Sequence, residues 1–115
     1  MGYSTDAKNA LLDYLATLAV KASLHTDEPG DTGANEVTGG SYARQTCGWA
    51  SASGGSISDD GNSPAFSIPA GNTIRFVGFW NTGGTVWYGS ADLTEEMFTA
   101  DGIYTLTSAI LDLNG

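Results

Sequence analysis

Catalysis needs a nucleophile with its base, a set of metal ligands or a cradle for phosphate, and this chain is poor in all three. It contains one histidine, His25, and one cysteine, Cys47. That pair excludes an intrachain disulfide and a two-His metal motif, so carboxylates are the only ligands present in number. Asp27, Glu28, Asp31 and Glu36 cluster in one stretch, and Asp59-Asp60-Gly61-Asn62 forms a second oxygen-rich turn. Calcium takes roughly six to eight oxygens on a flexible loop, so both stretches are chemically eligible. Neither follows the EF-hand pattern, because Thr38 stands where the closing Glu of a loop starting at Asp27 belongs. Both read more simply as solvated acidic turns, and no cofactor is expected.

Nucleophilic chemistry is no better supplied. Gly39-Gly40-Ser41-Tyr42-Ala43 approaches a nucleophile elbow but precedes a strand, whereas the elbow needs a strand before it and a helix after. His25 could meet a Ser and Asp27, yet it reads more simply as a strand-end residue bonding to the next loop. Cys47, alternating with Trp49, reads as a small packed hydrophobe. Glu95 and Glu96 are adjacent and do not face one pocket on either a helix or a strand. No Gly-rich phosphate motif occurs. The expectation is a protein that is not an enzyme.

The elements that would position these groups are mostly strands. Ser4, Thr5 and Asp6 offer capping oxygens to a helix over about 6–18, with Ala7, Leu11, Tyr14, Leu15 and Leu18 as its apolar stripe, widened by Leu12 and Ala16. That stripe is expected on the sheet or on a neighbouring subunit, with a core contact the simpler choice. From Val20 the period becomes two: Val20, Ala22 and Leu24 alternate with Lys21, Ser23 and His25, as in a half-buried strand. Asp27 to Gly40 is a long Gly-rich loop of the kind that is functional or mobile. Tyr42 to Trp49 reads as a strand, Ser56 to Ser58 as a short one, and Ala65 to Ile68 as another before the turn Pro69-Ala70-Gly71-Asn72. Thr73 to Trp80 is the strongest core strand, with Ile74, Phe76 and Trp80 on one face and Arg75, Val77 and Phe79 on the other. Asn81-Thr82-Gly83-Gly84 then leads to Thr85–Tyr88 as a hairpin. Leu93 to Phe98 reads as a helical turn or irregular, and a last strand runs around Ile103 to Leu113.

Composition agrees with that pattern. The 115 residues include 16 Gly, 41 % hydrophobic and only 15 % charged residues, the profile of short strands joined by Gly-rich turns rather than of a disordered chain. The expected fold is mainly β, a small antiparallel β-sandwich or jelly-roll-like domain with one N-terminal α-helix, forming a single domain over residues 1–115. Four Lys and Arg against thirteen Asp and Glu give a formal charge of −9. This balance speaks against nucleic-acid binding and against docking on an anionic membrane, and no apolar run is long enough for a membrane span.

Two groups of residues remain as candidate contact sites. Trp49, Trp80, Trp87, Tyr88 and Tyr104 could fill a small core, anchor a subunit interface or line a sugar platform. Arg44 is one of few cations in an acidic chain, and a pair with Glu36 or Asp31 would fix the long loop on its strand. The residues singled out for interface or binding are therefore Arg44, Glu36, Trp80, Trp87 and Tyr88.

The string Leu24-His25-Thr26-Asp27-Glu28-Pro29-Gly30, followed by Gly33-Ala34-Asn35-Glu36-Val37-Thr38-Gly39-Gly40-Ser41-Tyr42-Ala43-Arg44-Gln45, resembles a family of small virion proteins of tailed bacteriophages, the tail-fibre or minor tail proteins. The likeness continues through Phe66-Ser67-Ile68-Pro69-Ala70-Gly71, Val77-Gly78-Phe79-Trp80 and Tyr104-Thr105-Leu106, covering nearly the whole chain from Asp6 onward. It implies a structural part made in the host cytoplasm and carried on the virion surface at the tail tip or fibre. Other virion proteins are its implied partners, along with copies of itself, a trimer being favoured, and a host-surface glycan. It transfers no catalytic or receptor-contact residue. Two alternatives stay open: a head decoration protein stabilising the capsid shell, and a carbohydrate-binding module using the Trp residues.

Overall fold

A computed structural model describes residues 3–107 and 110–113. The element order is α1 (Thr5–Leu18), β1 (Lys21–His25), β2 (Gln45–Thr46), β3 (Ser56–Ser58), β4 (Ala65–Ile68), β5 (Asn72–Trp80), β6 (Trp87–Phe98), β7 (Gly102–Thr105) and β8 (Ile110–Asp112). All pairings among these strands are antiparallel: a four-stranded sheet in the order β2-β1-β5-β6, and two ribbons, β3-β8 and β4-β7. The mainly β, antiparallel architecture with one helix near the N-terminus is thus the one the sequence leads to. Its second layer is two short ribbons rather than one continuous sheet.

One apolar cluster joins the layers. Ala22 and Leu24 of β1 and Ile74, Val77 and Phe79 of β5 meet Phe66 and Ile68 of β4, with Val37, Phe98 and Leu106 closing the sides. The faces of β5 differ from strict alternation. The register with β6 shifts between Ile74 and Phe76, where Arg75 alone stands against Leu93, Thr94 and Glu95; across this irregularity Ile74 joins Val77 and Phe79 in the apolar cluster, while Phe76, Gly78 and Trp80 lie on the other side. Such an irregularity twists the strand locally and breaks the strict alternation of its faces.

Four other expectations are corrected. The helix is capped by Ser4, whose Oγ accepts from the Ala7 amide at 3.1 Å, but of its apolar residues only Leu12 is buried. Leu11 and Tyr14 face outward, 46 % and 67 % exposed. Polar anchors set this rotation: Asn9 Oδ1 accepts from the Gly55 amide at 2.9 Å and the exposed Asp13 Oδ1 from the Ala52 amide at 2.8 Å, so the side carrying Asn9 and Leu12 turns inward. The expected strand 42–49 shrinks to Gln45–Thr46, because Tyr42 and Arg44 turn toward Glu36. The stretch 93–98 is strand, not helical turn, since pairing with β5 extends β6 from Trp87 to Phe98. The expected last strand divides into β7 on β4 and β8 on β3; its residues 108–109 lie outside the described ones. Among the described residues no helix is long and apolar enough to cross a membrane.

Candidate functional site

β1 is buried on both faces, not one. Ser23 and His25 point away from the apolar cluster and are nonetheless fully buried. The cover is the segment 26–44, which folds back along β1: the Thr26 amide donates to Asn35 O at 3.0 Å, the Val37 amide donates to Leu24 O at 3.0 Å, and Glu36 bridges His25. Its reversal uses left-handed backbone at Gly30, Gly33 and Asn35, with φ of 61°, 77° and 64°. Gly33 also has no room for a side chain: a Cβ there would lie 2.6 Å from the Trp80 ring and 2.8 Å from Trp87. The loop can descend onto the indoles only because this residue is Gly.

Beneath the loop runs a directed chain of hydrogen bonds. Trp80 Nε1 donates to Ser23 Oγ at 2.8 Å, and Ser23 Oγ lies 2.7 Å from His25 Nε2. On the other side of the ring, His25 Nδ1 lies 2.7 Å from Ala34 O. A carbonyl can only accept, so Nδ1 carries the proton and Nε2 accepts from the serine hydroxyl. This is a neutral imidazole, and burial lowers its pKa from the ordinary value of 6.5, outweighing the Ala34 hydrogen bond and the Glu36 charge that favour the proton. Trp87 Nε1 donates to Gly30 O at 3.1 Å. The Trp87 ring meets Trp80 edge-on at 5.0 Å and His25 at 5.4 Å between centroids.

An ion pair closes the far end of the loop. Arg44 Nε and Nη2 donate to the two carboxylate oxygens of Glu36 at 3.0 and 2.8 Å, while its guanidinium carbon stands 3.9 Å from the centre of a Trp80 ring. Nη1 reaches Gly84 O at 3.3 Å, tying the β5–β6 hairpin to the same point. Tyr42 Oη donates to Glu36 Oε2 at 2.8 Å and accepts from the Leu24 amide at 2.9 Å. Burial would raise the Glu36 carboxyl, but the hydrogen bonds from Arg44 and Tyr42 with the Arg44 charge hold it below its ordinary range. Burial moves the Tyr42 hydroxyl strongly upward. The Glu36 hydrogen bond raises Arg44 despite partial burial.

Four of the five candidate residues, Arg44, Glu36, Trp80 and Trp87, therefore meet in one place. Asp31 is exposed and takes no part in the pair. Tyr88 lies elsewhere, against the apolar cluster and beside Leu12, Leu15 and Ile110. Ser23, Tyr42, Gly33 and Gly84 complete the constellation and do not stand out in the sequence. The spacing Ser23-x-His25, which puts both on one strand face, is the signal that could reveal the first of them.

The Ser23–His25 pair has the spacing of a nucleophile and its base, but both residues are fully buried and the serine oxygen already accepts from Trp80. A substrate has no approach to it. Cys47 is buried with its Sγ 3.3 Å from Ala19 O, and burial pushes its thiol up to about 11. The acidic stretches turn onto their own backbone: Asp27 Oδ1 accepts from the Glu28 amide at 2.8 Å and Asp60 Oδ1 from the Asn62 amide at 3.0 Å. Asp59 keeps one carboxylate oxygen buried without a hydrogen-bond partner among the described residues, a single oxygen where calcium asks for several. Among the described residues no three His, Cys, Asp or Glu come together as a metal site. What the constellation does do is fasten the loop and the β5–β6 hairpin to the sheet.

Residues 2–114 match the model of a family described as podophage GP4 fiber I protein gp80. No curated protein matches the chain, and no solved structure does.

Proposed function

The chain belongs to the podophage fibre I protein family, and from that premise we propose that it is a non-enzymatic, self-associating component of the phage fibre, exposed on the particle. The observation that carries the reading is the extent of the match, which spans residues 2–114 and so takes in every described residue. A virion structural protein works by persistent contacts, and the interior is built for persistence. The loop most able to move is fastened by indole, imidazole and guanidinium groups rather than left free.

Self-association has its own support. Leu11 and Tyr14 are exposed on α1, and with the half-buried Ala7 and Leu18 they form a 4-3-4 spaced apolar line. Such spacing lets helices of several copies pack in register, and the trimer implied by the resemblance to phage fibre proteins is the arrangement we carry forward. Contacts with other virion proteins and with a host-surface glycan belong to the same reading. The fibre family favours this placement over a head decoration protein.

Sedimentation equilibrium of the whole chain tests the association directly. The wild type is expected as an oligomer and the Leu11→Glu/Tyr14→Glu double variant as a folded monomer. A wild type that stays monomeric at high concentration would refute self-association. Antibody labelling of intact particles tests the placement, and label on the capsid shell in place of the fibre would overturn it.

A further inference from the structure

The indoles that a sugar platform would use are covered: Trp80 is 9 % exposed, and the Nε1 groups of Trp80 and Trp87 both serve internal acceptors. The surface offers a different place. A cleft of about 380 Å³ opens between the 39–41 turn, the end of β4 and the start of β7, lined by Gly40, Ser41, Ser67, Pro69, Asp101 and Ile103 among others. That size lies at the lower end of the range of small-ligand sites.

Its construction is specific. Ser67 and Ile103 are cross-strand partners, which sets a hydroxyl beside an isoleucine that is 60 % exposed. Asp101 Oδ1 accepts from the Ala70 amide at 2.8 Å, which fixes the carboxylate against the 69–72 turn, and among the described residues no hydrogen bond holds its second oxygen. Gly40, with φ of 55°, lets the opposite wall approach: a Cβ there would stand 3.1 Å from the Pro69 ring. The lining thus brings two hydroxyls and a carboxylate together with the apolar Pro69 and Ile103. Hydroxyls and a carboxylate suit a diol, which both donates and accepts, and the apolar floor suits the C–H face of a sugar ring. Among the described residues no Lys or Arg lines the cleft, so a carboxylated or phosphorylated ligand would meet Asp101 without a counter-charge.

We propose that this cleft binds a neutral saccharide of one or two rings, with Asp101 accepting from a diol and Ile103 under the ring. The proposal gives a site to the glycan contact included above and rests on that part of the reading. The test is amide chemical-shift mapping on the isotope-labelled full chain, titrated with methyl α-glucoside, methyl α-galactoside and methyl N-acetylglucosaminide, with glucuronate as the acidic control. The expected result is a set of shifts confined to Gly40, Ser41, Ser67, Gly102 and Ile103 for at least one neutral glycoside. Asp101→Asn should weaken that binding about tenfold, the loss of one charge-assisted hydrogen bond. If Asp101→Asn fails to fold, the Ser41→Ala/Ser67→Ala variant, which alters only surface hydroxyls, replaces it with the same expectation. No shift with any neutral glycoside, shifts centred on Trp87, or an equal response to glucuronate would overturn the proposal. Each of those outcomes leaves the virion placement standing, because particle labelling decides that separately.

Discussion

On one face of β1, Ala22 and Leu24 meet Phe79 and Val77 across the strand pair and sink into the apolar cluster. On the other face, Ser23 and His25 are equally shut off from water, but by a loop, two indoles and an ion pair. The first face is held by burial, which has no direction and tolerates small shifts. The second is held by bonds that each require one partner at one angle. Burial alone therefore does not tell how a surface is secured. The two faces should fail differently when disturbed, one by global unfolding and the other by release of its cover.

The largest effect belongs to the apolar face. Phe79 is fully buried and meets Trp49 edge-on at 4.9 Å between centroids. Phe79→Ala should cost about 3–5 kcal/mol, read as a lower denaturant midpoint for the whole chain in one transition. A separate early transition of segment 26–44 would break the contrast, since it would mean the loop depends on Phe79 as well. Glu36→Ala should cost less, about 1–2 kcal/mol, because Tyr42 and Arg44 lose their acceptor but Arg44 stays near enough to the surface to regain water. Its signature is local: faster hydrogen exchange at Thr26, Val37 and Gly84, with the β4–β7 ribbon unchanged. Uniform acceleration throughout would show that the clasp and the core are one cooperative unit.

The same contrast explains what can be read without coordinates. β3 and β4 have the bounds their alternation predicts, and the turn at 69–72 and the hairpin at 81–84 fall where Gly and Asn place them. Those features depend on near neighbours and on period. The full length of β6 is hidden because Glu95, Glu96 and Met97 carry weak strand preference and are held extended only by pairing with β5, a long-range effect. The register shift opposite Arg75 is hidden because the two extra residues it places on β6 leave no mark in composition. For the candidate site, Arg44 stands out as a scarce cation with Glu36 and Asp31 both within reach in one loop, and the fold selects Glu36. Gly78 carries a subtler sign: a Gly inside a central strand marks a close approach, and here a Cβ would run into the Trp87 ring and lie 2.8 Å from His25 Nε2. The rotation of the helix is not legible locally, because two apolar lines share α1 and the choice between them is made by Gly55 and Ala52, far along the chain.

Acid should loosen the polar face before the apolar one. The native pKa of His25 lies below 6.5 through burial, so as pH falls through 6.5 the unfolded chain takes up a proton that the native state refuses. Stability from this group is complete above 6.5 and declines below it until the native value is reached. A second decline begins below the ordinary Glu36 value of 4.5, because the paired carboxylate is held lower in the native state. Both losses have the same sign, and they occur in sequence. His25→Gln can donate to Ala34 O and accept from Ser23, so it should keep the loop in place and abolish only the first decline. A first decline that persists in His25→Gln would assign it to another group and remove the imidazole as its source.

The smallest effect concerns the second ion pair. Arg75 and Glu95 stand 3.3 Å apart with their side chains 43 % and 59 % exposed, whereas Arg44 and Glu36 are shielded by Trp80, Tyr42 and the hairpin. An exposed pair gains little over hydration and loses side-chain freedom, so Glu95→Gln should change stability by no more than about 0.5 kcal/mol. The arginine itself has a second duty, since its Nη1 donates to Thr26 O at 2.6 Å and so touches the start of the loop. Replacing Glu95 leaves that bond in place, which is why the glutamate and not the arginine is the clean substitution. If Glu95→Gln costs as much as Glu36→Ala, then shielding by the indole and the tyrosine is not what separates the two pairs. In that event the register shift between β5 and β6 at Arg75 would be held by its ion pair and not by the fit of Ile74 in the core.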